Sequence, residues 1–399
     1  MSDRQVRDMG RKHGRTGRYL LLFVMALLMG WVLVTAYRAG KNDNIRLLTG
    51  DREEMMEGWT LGGVGEDNPI VSFPCKSRSK IASFYYRIPD EVSPETLLVL
   101  ENHYQKLRVL VEGQEIYEYG MSEDSGYFIP ANMRCYIDIL PEYAGKRLEV
   151  YMKTWGYGKE AVLYSPVMTT RGEASFELIK ENRNVIAFCL ISWFMSSVLF
   201  VMAAIWAVRR DLQKGGVFGS LAFFMFLSAA WVLTDSSLLQ LFLNNSQFII
   251  VASFEAFLLL PVPLLWFMDI IFNYEKTRYK LLQRMFVANC ILQNLLYISK
   301  VSNFVYLVWV THVIILGDVV FMVYHMVKAT VCSHSYYAKR LLLGSGMFAC
   351  MSGLSILTFY HSRGTDNQRF FMLGYGFLVL ELLLVAVRKM QEMEGQKQK

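Results

Sequence analysis

Several ionisable residues stand inside long apolar runs in the second half of the chain: Asp235, Glu255, Asp269, Asp318 and Glu381, with His312 and His325. Burying such groups in hydrocarbon is expensive, so each marks either a functional polar site or a hydrogen bond between helices. Asp318 and His325 are seven residues apart, which places them on one helix face about two turns apart. Such a pair suits a proton relay, and equally a hydrogen-bond lock inside a bundle. Asp235 and Glu255 fall toward the outer half of neighbouring runs. A second set lies upstream, where Glu101 and Asn102 accompany Tyr104, Tyr127, Trp155 and Tyr157. Rings beside carboxylates and amides suit sugar stacking and hydroxyl recognition. The plainer use of the same rings is core packing or rest on a membrane surface. Neither CxxC nor HExxH spacing occurs, so no metal or cofactor is implied and no residue is assigned a catalytic role.

The elements that must position these groups are apolar spans. Of the 399 residues, 53% are hydrophobic, and seven runs approach the roughly 20 residues that cross a hydrocarbon core. They are Val185–Val208, Val217–Leu243, Phe248–Phe272, Leu281–Ile298, Val305–Val327, Leu341–Tyr360 and Phe370–Val387. An eighth run, Tyr19–Tyr37, follows the basic tail of residues 1–18 and reads as an anchor or uncleaved signal, the alternative being a secretory signal cut after Ala36. Pro261 and Pro263 predict a kink in the third run of the block, and Gly344, Gly346 and Gly353 permit close helix approach in the sixth. The net charge of +6 is divided: carboxylates outnumber Lys and Arg between Arg38 and Arg183, so the cations flank apolar runs. That pattern excludes a nucleic-acid patch and favours membrane topology. Arg209, Arg210, Lys276, Arg278, Lys280, Lys328, Lys339, Arg340, Arg388 and Lys389 all fall on alternate ends of successive runs. The positive-inside rule then puts both termini, including the tail 389–399, in the cytoplasm and residues 38–183 outside. The membrane domain is 184–388, and a homo-oligomer is compatible with it.

The outer segment has strand periodicity. Ala82, Phe84 and Tyr86 alternate with Ser83, Tyr85 and Arg87; Leu107, Val109 and Val111 with Arg108, Leu110 and Glu112; and Leu148, Val150 and Met152 with Glu149, Tyr151 and Lys153. Each set marks a strand with one buried and one wet face. Glu112-Gly113 reads as a hairpin turn, Pro89-Asp90 and Ala144-Gly145-Lys146 as further turns. Short strands with turns between them predict an all-β sandwich. Outside the cytoplasm a Cys75–Cys135 disulfide is allowed, and two separate buried thiols are equally allowed.

Leu107–Gly120 resembles the central hairpin of galactose-binding-like jelly rolls, and Cys135–Pro141 with Gly145–Val150 resembles their next strand pair. Such a domain followed by seven spans resembles the bacterial seven-transmembrane receptors with diverse intracellular signalling modules. Trp231–Ser237 is similar to their membrane part. The resemblance implies a jelly-roll ectodomain on a membrane α-helical bundle of one N-terminal span plus a seven-helix domain. It also implies a plasma-membrane sensor whose outer domain binds a small molecule such as a carbohydrate. No GGDEF-like run, kinase box or phosphate-binding glycine loop occurs, and only Arg388–Lys399 follows the last run. The expectation is therefore a non-enzymatic receptor that signals through a separate cytoplasmic partner. The alternatives are a transporter or membrane-embedded enzyme using the intramembrane Asp, Glu and His residues, or an assembly factor whose outer domain contacts an envelope protein.

Overall fold

The computed structural model describes residues 53–55, 57–62, 68–122, 128–156, 158–272, 276–362 and 367–397. The basic tail, the Tyr19–Tyr37 run, Tyr127 and Tyr157 lie outside the described residues. Gly50–Lys399 forms one compact unit, with strands first and helices after.

The strands are β1 Glu53–Glu54, β2 Thr60–Leu61, β3 Asn68–Pro69, β4 Cys75–Lys76, β5 Ile81–Arg87, β6 Thr96–His103, β7 Gln105–Val111, β8 Gln114–Tyr119, β9 Asn132–Asp138, β10 Arg147–Thr154, β11 Val162–Leu163 and β12 Val167–Thr170. One sheet runs β3-β2-β5-β10-β7-β8 and a second β1-β12-β6-β9, with β11-β4 as a small third. Hydrogen-bonded neighbours are antiparallel throughout. The three apolar sets read from periodicity lie in register. Leu148 pairs with Tyr86 and Val111, Val150 with Phe84 and Val109, and Met152 with Ala82 and Leu107. These rows and Leu98, Leu100, Cys135, Ile137 and Met168 of the other sheet form one core. The β7–β8 turn takes positive φ at both Glu112 (49°) and Gly113 (84°), the twist a tight two-residue hairpin needs.

Cys75 and Cys135 are both free thiols, so the disulfide that the sequence allows is not formed. Cys75 sits in the small third sheet opposite Leu163, whereas Cys135 lies in the core on β9, where burial pushes its thiol up to about 12. So high a value leaves almost no thiolate at neutral pH.

The helices are α1 Arg171–Glu181, α2 Arg183–Val208, α3 Leu212–Asp235, α4 Ser246–Leu259, α5 Pro261–Phe272, α6 Lys276–Ile298, α7 Phe304–Ser333, α8 Tyr336–Ser362 and α9 Asn367–Lys397. Helix α1 is absent from the strand-only reading of the outer segment. Its start is a capped one: the Thr170 hydroxyl accepts from the Glu173 N–H (3.3 Å), within a Thr-x-x-Glu spacing. Among the described residues, six helical stretches are long and apolar enough to cross a membrane: Arg183–Val208, Leu212–Asp235, Ser246–Phe272, Phe304–Cys332, Tyr336–Thr358 and Gln368–Gly395. The expected run Leu281–Ile298 is helical but is not among the six. Its Asn289 and Gln293 turn instead to Thr311 of α7 (3.0 and 2.8 Å). Where the prolines predict a kink, the helix is interrupted at Leu260, between α4 and α5. Of the expected close approaches, Gly344 holds, since a Cβ there would come 2.9 Å from Glu381 Cβ, whereas Gly346 and Gly353 face open space. Gly374, against Met351, supplies the reciprocal close contact in the α8–α9 hairpin. Leu190, Phe194 and Val201 on α2, and Leu316 and Val320 on α7, keep their side chains exposed, as lipid-facing positions do.

Candidate functional site

The strands and helices enclose a polar chamber of about 330 Å³. Glu101 and His103 come from β6, Asn132 and Arg134 from β9, and Glu181 from the end of α1. Asp235 enters from the end of α3, and Gln368 and Arg369 from the start of α9. Tyr104 is the corner residue at which the chain leaves one sheet and enters the other, with φ +56°. A left-handed bulky residue is uncommon and strained.

Arg134 organises the chamber. Its guanidinium is nearly buried and pairs with Glu101 (3.3 Å) and with Glu181. His103 Nε2 stands 3.9 Å from Glu101 Oε2, a long contact. The neighbouring His103, aided by Arg134, holds the Glu101 carboxyl below the usual carboxylate range against the opposing effect of burial. Burial opposes the charge on Arg134, but Glu181 and Glu101 outweigh it and raise its pKa. On the helical side Asp235 Oδ2 accepts from Gln368 Nε2 (3.0 Å). The chamber thus presents fixed charges of both signs and several amides.

The strands are fastened to the helices around it. Gln240 accepts from the Arg134 N–H and donates to the Arg134 carbonyl (both 2.9 Å). Gln247 does the same with Ile129 (3.0 and 2.8 Å). The Tyr119 hydroxyl accepts from the Ala131 N–H (2.9 Å). Trp155 packs on Tyr306 of α7 at 5.3 Å between ring centroids.

Of the residues singled out in the sequence, Glu101, Tyr104 and Asp235 meet in the chamber. Asn102 is fully buried and donates to the Gln105 carbonyl (2.8 Å), so it serves the corner and not the cavity. Trp155 belongs to the fastening between strands and helices. Glu255 accepts from the Cys290 thiol (3.6 Å), joining α4 to α6. Asp318 lines a separate cavity within the bundle, whereas His325 packs against Phe321 and Tyr324 and does not line it. The two share a helix face without sharing a site. Arg134, Glu181, His103 and Gln368 were not singled out. A lone arginine within the apolar alternation of β9 is the signal that marks Arg134.

No family model matches this chain, and no curated protein matches it.

Proposed function

We propose that the protein is a membrane receptor that binds a small polar molecule, a carbohydrate being one candidate class, in the chamber between its strands and helices. The observation that carries this reading is the chamber's construction: its charged walls come from β6, β9, α1, α3 and α9 together. A ligand touching all of them binds one packing of strands on helices better than another, which is the condition for a signal. Two sheets over one core are the layout of a jelly-roll ectodomain, and the basic ends of alternate helices support cytoplasmic termini and an outer β domain. On this reading α6 completes a seven-span bundle in a bacterial plasma membrane. The bundle reports to a separate cytoplasmic protein, and no chemistry is catalysed.

Full-length protein in lipid nanodiscs, screened by thermal shift against sugars and polar metabolites, tests it. A hit should raise the Tm of the wild type and lose at least tenfold in affinity in Arg134→Met. Hits that bind both equally would remove the chamber from the proposal.

A transporter remains the second reading, favoured by one observation: Asp235 and Tyr104 line both the chamber and the bundle cavity. Uptake of a hit into sealed proteoliposomes, absent from vesicles of lipid alone, would select it.

A further inference from the structure

The bundle cavity has a volume of about 180 Å³ and a lining that is mostly aromatic and aliphatic. Trp231, Phe257, Phe348 and Phe371 all contribute to it. They also pack on one another: Trp231 lies 4.6 Å from Phe371 and 5.7 Å from Phe257 between ring centroids, and Phe348 lies 5.6 Å from Phe371. Into this lining α7 brings Asp318, only 4% exposed, whose Oδ1 has no hydrogen-bond partner among the described residues. The Ser345 and Ser352 hydroxyls of α8 line the same cavity and also have no partner there.

An ionised carboxylate in such surroundings is strongly disfavoured unless a cation lies against it. A metal ion is poorly served, because hard cations take roughly six or more oxygen ligands. Among the described residues no group of three or more His, Cys, Asp or Glu could hold one. The lining also includes Asp235 and His312, and carboxylates among aromatic rings are instead the recognition set for an organic ammonium ion. Size agrees as well, since an apolar cavity of about 150 Å³ accepts benzene.

We propose that this cavity binds a small organic ammonium ion, its nitrogen at the Asp318 carboxylate and its hydrocarbon among the rings of Trp231, Phe257, Phe348 and Phe371. The hydroxyls of Ser345 and Ser352 offer further acceptors along the facing helix. Asp235, which belongs to the walls of this cavity and of the polar chamber, adds a second carboxylate to its lining. The site does not depend on any ligand occupying the chamber.

Saturable binding of phenethylamine, phenethyl alcohol and 3-phenylpropionate to the full chain in nanodiscs tests the proposal. The wild type should bind the amine at least tenfold more tightly than the alcohol and should not bind the carboxylate. Asp318→Asn should bring the amine-to-alcohol ratio near one. Equal affinity for amine and alcohol, or no binding of either, would overturn the proposal on wild-type protein alone, whether or not the variant folds. An amine preference that survives Asp318→Asn would overturn the assignment to this cavity.

Discussion

Arg134 joins three parts of the chain through one side chain and its own peptide group. Its carboxylate partners, Glu101 and Glu181, are 33 and 47 residues away, so no local pattern announces the cluster. Glu101 and Tyr104 could be picked out because carboxylate and ring fall close together in sequence; their cation could not. Asp235 was visible as a charge in an apolar run, but its partner Gln368 is 133 residues distant. The cluster also sets a pH dependence. Folded Glu101 titrates below its ordinary value of 4.5, so its contribution to stability is complete above that value. It is lost as pH falls through the lower folded value. Between about pH 5.5 and 3.5 the Tm of the wild type should therefore drop further than that of Glu101→Gln. Parallel melting curves for the two proteins over that range would show that the ionised Glu101 adds nothing.

Among elements, β5, β7 and β10 were the most legible, because period-two alternation is local and all three sets came out in register. Helix α1 carried its signal at Thr170 and Glu173, yet its short length hid it within a strand-rich segment. Helix α6 is less apolar than its neighbours because it carries Gln283, Arg284, Asn289, Gln293 and Asn294; of these, Asn289 and Gln293 report a helix–helix contact at Thr311. The fastening of strands to helices left no sequence trace, since Gln240 falls near the end of the apolar run Val217–Leu243 and Gln247 in the short loop after it, and neither position marks a partner. Each glutamine satisfies one backbone N–H and one carbonyl, and truncation would leave both unpaired. Gln240→Ala and Gln247→Ala should each cost about 1–3 kcal/mol. Amide exchange at Arg134 and Ile129 respectively should accelerate. A variant with unchanged exchange at its own partner would show that the pairing is dispensable.

For the whole molecule, the proposed orientation predicts which surfaces meet which solution. Val71, in the strand region, and Val208, at the end of α2, are 92% and 84% exposed. In a background lacking Cys332 and Cys350, a membrane-impermeant maleimide should label Val71→Cys in intact cells. It should label Val208→Cys only after permeabilisation. Labelling of both from the same side would invert or dissolve the proposed topology. The fastening has a further consequence for how the molecule can be divided. Strand β9 ends its sheet, and the outward N–H and carbonyl of its Arg134 are covered by Gln240 from the helical side. Sheet edges left bare recruit other strands, so the helices act as chaperones to the sheet they carry. Cut free of them, the strands would hold half a chamber and an adhesive border, and would tend to find each other before they found a ligand.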